Sequence, residues 1–278
     1  MNTNQQTYQR RTALRVLALA TSVGLAGCTA SDDSESATES NDSLEFDSRV
    51  EGTQLVLAFK AGVIDQVNVV DPSGELFVTR TVEAGVSRLT VEIGAEYTPG
   101  TYEVVGLAAK EVVETQILKL EPDLELTELR LGKEYPEEMY EGATESDTNA
   151  EAILSVTNTG TGPTAVTQLR FRGDVPLPTH ESYDETGVSG IYDPENDFGA
   201  DADAIVIPAG ETVLIYSNTW PFSPTARGID CDLAGEDGHF TVELFSIHHS
   251  QSISLEYKIQ YAESDTYGCS YKVEKVLP

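Results

Sequence analysis

From Leu44 to the C-terminus, the apolar residues of this chain recur mostly at every second position. Successive side chains of a strand point to opposite faces, so this alternation calls for sheets with one buried and one solvated face. Residues 50–60, 63–70, 75–80, 86–93, 101–108 and 112–120 read as strands. Turn signals such as Asp71-Pro72-Ser73-Gly74 and Thr98-Pro99-Gly100 separate them. Six short strands without an amphipathic helical stretch predict a β-sandwich. Glu121-Pro122-Asp123 marks a boundary, and residues 124–131, 151–158, 165–172, 204–207, 212–217, 240–247, 253–261 and 269–276 supply strands for a second sandwich. The expected fold class is therefore all-β: one sandwich over 44–121 and another over 122–278, the latter with a long loop at 173–203. In Gln168-Leu169-Arg170-Phe171-Arg172, Leu169 and Phe171 face inward and the polar residues outward. Arg170 and Arg172 then either pair with neighbouring acids or offer a site for an anion.

Two stretches resemble known modules. Pro99-Gly100-Thr101-Tyr102-Glu103-Val104-Val105-Gly106 resembles a late strand of bacterial and archaeal Ig-like surface domains. The hairpin-like segment Ala152-Ile153-Leu154-Ser155-Val156-Thr157-Asn158-Thr159-Gly160-Thr161-Gly162-Pro163 and the edge turn Ile207-Pro208-Ala209-Gly210-Glu211-Thr212-Val213 are similar to CARDB-like adhesion domains. These resemblances imply a fold and leave function open, because sandwiches host many unrelated activities.

The first 43 residues follow different rules. Arg10, Arg11 and Arg15 precede an apolar run from Val16 to Gly27 broken by Thr21 and Ser22. A basic segment, a short apolar segment and small residues at its end compose an export signal. The run is too short for a bilayer span, which needs about twenty residues. Gln9-Arg10-Arg11-Thr12-Ala13-Leu14-Arg15 resembles the twin-arginine signal, with Ala13 where Phe is usual, and both export routes stay open. Leu25-Ala26-Gly27-Cys28 resembles a lipobox, which implies cleavage before Cys28 and a diacylglyceryl group on its sulfur. That sulfur serves because a thiolate is a good nucleophile. The resemblance implies a signal peptide over 1–27, membrane attachment through Cys28 and an extracellular location on the cell membrane. Residues 28–43 are acidic, polar and free of aromatics, which predicts a solvated tether. Asn41-Asp42-Ser43 is a glycosylation sequon in it, or a chance occurrence.

Charge narrows the partners. The chain has 47 Asp and Glu against 17 Lys and Arg, a net −30. Removing the three arginines of the signal leaves 14 basic residues against the same 47 acids, a net −33. Phosphate binding needs clustered Lys and Arg, so nucleic acid is not an expected partner. The same balance argues against a polybasic grip on anionic lipid. Self-repulsion of this size is costly in dilute buffer and screened in molar salt. The pattern resembles the proteins of salt-in halophiles such as haloarchaea; an ordinary acidic surface protein is the alternative.

With Cys28 lipidated, Cys231 and Cys269 remain as an even pair in an oxidising compartment, which predicts a disulfide. A loop of about 38 residues closed by it is worth roughly 4 kcal/mol. Two cysteines without CxxC spacing make a poor metal site.

No catalytic constellation emerges. Gly187-Val188-Ser189-Gly190 is not a nucleophile elbow. Gly160-Thr161-Gly162 opens no helix and is no phosphate loop. His248-His249, read on a strand, point to opposite faces. Asp193, Glu195, Asp197, Asp201 and Asp203 alternate around Gly199, a spacing of oxygen ligands that suits Ca²⁺, although it is not an EF-hand. The cluster is either a cation site or a solvated acidic loop. Tyr183, Ile191, Tyr192 and Phe198, with Trp220, Pro221 and Phe222, form either a binding rim or the packing of the loop onto its own sandwich. The leading functional expectation is a non-catalytic lipoprotein of adhesion or interaction modules, with an envelope protein or glycan as partner. A ligand- or metal-binding accessory receptor, and an extracellular enzyme with an unrecognised site, are the alternatives.

Overall fold

A computed structural model describes residues 46–180, 185, 187–192, 203–223, 235–249, 252–263 and 269–276. It is all-β, as the alternation predicts, and its described sheets form two sandwiches with separate cores. Among the described residues no helix is long and apolar enough to cross a membrane.

The N-terminal sandwich contains β1 (Asp47–Glu51), β2 (Gln54–Ala58), β3 (Gln66–Val70), β4 (Leu76–Thr81), β5 (Arg88–Glu92), β6 (Gly100–Ala108) and β7 (Glu111–Leu120). One sheet runs β1-β2-β5 and the other β4-β3-β6-β7, with every described pairing antiparallel. Leu55, Leu57 and Val91 of the first sheet meet Val67, Val69, Tyr102 and Val104 of the second. The 50–60 stretch is two strands rather than one. The chain reverses at Gly52, whose φ of 63° lies in the left-handed region that glycine adopts without a Cβ clash.

The C-terminal sandwich contains β8 (Leu124–Leu131), a 3₁₀ turn (Pro136–Glu138), α1 (Glu145–Ala150), β9 (Ala152–Asn158), β10 (Thr164–Gly173), β11 (Ile191–Tyr192), β12 (Ile205–Ile207), β13 (Thr212–Ser217), β14 (Asp237–Ser246), β15 (Ile253–Glu263) and β16 (Cys269–Lys275). One sheet is ordered β11-β13-β9-β8 and the other β12-β10-β14-β15-β16. Leu154, Val156 and Ile215 from the first face Leu169, Phe171, Val242 and Tyr257 from the second, around the buried ring of Phe222. Leu169 and Phe171 are buried as the alternation requires. Arg172 pairs with Glu243 at 3.5 Å, and the Arg170 guanidinium lies 4.5 Å from the Phe245 ring centre.

The segment expected to form a hairpin at 152–163 does not. β9 and β10 lie in opposite sheets, so residues 159–163 arch over the end of the sandwich. The return from β12 to β13 at 208–211 makes a second arch beside it. Asn158, fully buried, joins the two. Its Nδ2 donates to the carbonyls of Gly162 (2.9 Å) and Ile207 (3.1 Å), and its Oδ1 accepts from the amides of Asp123 and Gly160 (3.1 Å each). The amide thus uses its full donor and acceptor capacity. A Cβ on Gly160 would lie 2.3 Å from the Glu121 carbonyl oxygen, so only glycine lets the arch close on the connection between the sandwiches.

His248 also sits at this junction, in a turn after β14 rather than on a strand. Its ring lies 4.7 Å from that of Tyr97. Its Nε2 is 2.9 Å from the Tyr97 carbonyl oxygen and its Nδ1 is 3.0 Å from Thr164 Oγ1. It is a structural contact between the two sandwiches.

Candidate functional site

A concavity lined by described residues belongs to the C-terminal sandwich, where three connections converge. The first is the segment from Tyr140 to Glu151. Thr144 caps α1, and Asp147 completes a capping box: its Oδ2 accepts from the Thr144 amide (2.9 Å) and hydroxyl (2.7 Å). This leaves Asp147 Oδ1 to turn toward the cavity. After α1 the backbone extends at Glu151 and enters β9.

The second connection follows β13. The Ser217 hydroxyl accepts from the Ala152 amide (3.0 Å) and donates to the Thr219 carbonyl (2.9 Å), which turns the chain toward Trp220. The Phe222 amide then donates to the Ala150 carbonyl at 3.0 Å, tying the two connections together. The third is β11, which pairs with β13 so that Tyr192 lies opposite Tyr216.

These elements enclose a space of about 390 Å³ lined by Tyr140, Asp147, Glu151, Tyr192, Asn218 and Trp220. The rings of Tyr140 and Tyr192 stack at 4.0 Å, and Tyr216 meets Tyr140 edge-on at 5.2 Å. The Trp220 indole N–H donates to Asp147 Oδ1 at 3.2 Å, which orients a ring that is 44% exposed. Glu151 is 4% exposed. The Tyr140 hydroxyl reaches its Oε1 at 3.4 Å, while its buried Oε2 has no hydrogen-bond partner. Burial, and then the negative charge of Asp147, push the Glu151 carboxyl up to about 8; the contacts from Tyr140 and Trp220 pull weakly the other way. Burial and the same carboxylates hold the Tyr140 phenol well above its ordinary range. Glu151 is therefore mostly a neutral acid at pH 7.

Of the aromatics expected at a rim, Tyr192 and Trp220 line this space. Ile191 and Phe222 are buried in the sandwich core instead, and Pro221 is buried too. Tyr183 and Phe198 lie outside the described residues. Tyr140, Asp147 and Glu151 were not singled out by the sequence. The signals for them are the Thr144-x-x-Asp147 capping pattern and an acid set between Ala150 and the apolar run from Ala152.

Of the acidic cluster, Asp203 is exposed, and Asp193, Glu195, Asp197 and Asp201 lie outside the described residues. Among the described residues no group of three or more His, Cys, Asp or Glu is placed to hold a metal ion. Cys28, Asn41 and Cys231 also lie outside the described residues, and Cys269 opens β16. A second, more open concavity of about 450 Å³ lies between the sandwiches. Val50, Gln116 and Ile117 line one side, and Gly160, Thr161 and Gly210 the other.

No family model matches the sequence, and no curated protein matches it. Solved structures with a similar course include a beta-glucuronidase from glycoside hydrolase family 2, at 14% identity and a TM-score of 0.28, covering 82% of this chain and 21% of that one. A two-domain fibronectin type-III segment from chicken tenascin matches at 10% identity and a TM-score of 0.26, covering 84% and 98%. The human OSCAR ligand-binding domain matches at 8% identity and a TM-score of 0.20, covering 83% and 96%. The chain spans about a fifth of the glycoside hydrolase. These likenesses are loose, and the fold rests on the sheets described above.

Proposed function

We propose that this chain is a lipoprotein held to the outer face of the cell membrane through Cys28, whose two sandwiches serve as non-catalytic interaction modules. The observation that carries the anchor is the order of parts at the N-terminus: paired arginines, a short apolar run, then Leu25-Ala26-Gly27-Cys28 and an acidic tether. The body supports an interaction role, because its substance is β-sandwich with aromatic and acidic groups presented at one end. A single acyl-type anchor binds membranes only marginally, whereas two chains on one residue hold stably. Cys28→Ser should therefore move the protein from the membrane fraction to the medium or the soluble fraction. Retention of Cys28→Ser in washed membranes would refute the anchor. The accessory-receptor reading is favoured by one specific observation, the cavity at Glu151 and Trp220, and both readings place the protein outside the cell.

A further inference from the structure

We infer that the cavity between Tyr140, Tyr192 and Trp220 is a binding site for a small organic ammonium ion that donates an N–H to Glu151. The inference rests on the body being a binding module and is independent of the anchor.

Three features of the cavity select this chemistry. The first is charge. Asp147 and Glu151 both line the cavity, and no Lys or Arg is among its described lining residues. A cation entering it meets two carboxyl groups and no competitor. The second is an unmet hydrogen bond. A buried polar atom without a partner costs free energy that a bound donor recovers. Glu151 Oε2 is such an atom, next to a cavity large enough for a ligand. The third is the wall. Trp220 and Tyr192 offer aromatic surface, which attracts cations through the ring quadrupole and covers an alkyl chain.

The same features disfavour the neighbouring ligand classes. A calcium ion takes six to eight oxygen ligands, and the side chains of this wall supply two carboxyl groups, one of them mostly neutral at pH 7, and the Asn218 amide beside three aromatic rings. A neutral sugar would use the aromatic surface but would bring no positive charge to the acidic groups of the cavity.

Glu151 makes the site responsive to pH. Asp147 from α1, Tyr140 from the preceding segment and Tyr192 from β11 are the titratable groups around it. Burial and the neighbouring carboxyls hold Tyr140 above its ordinary range, while burial brings the Glu151 carboxyl up to about 8, so Glu151 changes charge across pH 7 to 9. An ammonium ion favours the ionised carboxylate, and its binding therefore displaces the Glu151 proton.

Trp220 is the chain's single tryptophan, so its fluorescence reports on this cavity. The test titrates the full chain with propylammonium chloride, which keeps its charge to pH 9 because alkylamines titrate near 10.4. Ionic strength is held constant with sodium chloride. The expected result is a saturable change in Trp220 emission, with affinity rising roughly tenfold from pH 6 to pH 9. In Glu151→Gln the affinity should be low and flat with pH. Tyr192→Leu, which leaves both carboxyl groups in place, should weaken binding several-fold at pH 9, and circular dichroism checks that each variant is folded. Absence of a saturable response to propylammonium overturns the inference. So does a pH-independent affinity in the parent chain, an equal response to methyl glucoside, or a stronger response to calcium chloride. None of these outcomes bears on membrane retention, which Cys28→Ser tests separately.

Discussion

Glu151 shows how one residue couples packing to proton binding. It is ionised in an unfolded chain above its ordinary pKa of 4.5 and protonated in the folded state up to about 8. Between these values the folded state holds a proton that the unfolded state has released, so this residue's contribution falls as pH rises. It is most favourable below pH 4.5 and is lost as pH passes through 8. The limiting slope is about 1.4 kcal/mol per pH unit. Glu151→Gln keeps the shape and removes the titration. The difference in unfolding free energy between variant and parent should move in the variant's favour from pH 5 to pH 8, measured by urea denaturation. A pH-independent difference would show that Glu151 titrates as an ordinary exposed acid. Sequence alone did not expose this residue, because in a chain with 47 acids one more carboxylate carries no signal. Trp220 and Tyr192 were legible because aromatics are scarce in loops and conspicuous there. Tyr140 and Asp147 come from the stretch 132–150, which carries no alternation, and Glu151 stands at the start of the stretch 151–158 expected to be a strand.

At the scale of elements, alternation located strands well and their connections poorly. The stretches 124–131 and 212–217 coincide with β8 and β13, although a bulge between Leu126 and Glu128 interrupts the alternation of β8. The break at Gly52 falls among the polar residues Glu51, Thr53 and Gln54 just before an apolar run, and a glycine within a strand pattern is itself a warning of a turn or bulge. The arch after β9 was misread as a hairpin, because a glycine-rich turn looks alike whether the next strand joins the same sheet or the facing one. What separates the cases is Asn158, whose buried amide ties both arches to the link between the sandwiches. Asn158→Ala strips a partner from two amides and two carbonyls in a buried place. With each unmet group costing about 1–3 kcal/mol, and with water recovering part of that, a loss of roughly 2–4 kcal/mol is expected. A urea midpoint unchanged by Asn158→Ala would remove the arch from the account of stability. The larger consequence lies at the junction, since the same arch carries Gly162 against Tyr97. Loosening it should also expose the Tyr97–His248 contact.

The whole molecule poses a different problem, because the chain carries a net charge of −30 and most of its acids lie in the sandwiches. Many of the basic side chains are committed locally: Arg49 to Asp47 and Glu51, Lys119 to Glu121, Lys258 to Asp237, and Lys272 to Glu274. These pairs are exposed and each is worth little. The remaining acids repel one another over the Debye length, which is about 10 Å at 0.1 M salt and about 3 Å at 1 M. Compaction brings these charges together, so screening should favour the folded state. We expect the thermal midpoint to rise steeply with sodium chloride from about 0.1 to 1 M, where the screening length shortens most, and to level off above that. Chloride is the informative anion, because sulfate would add a general strengthening of apolar burial. A second arm separates charge from salting-out. Neutralising two exposed acids of different sandwiches, Glu111→Gln and Glu125→Gln, should raise the midpoint in dilute buffer and leave it nearly unchanged at high salt. If the midpoint is flat across this range, or the double variant gains equally at both ends, repulsion is not what limits this fold. The acidic surface would then have to be explained by what it meets.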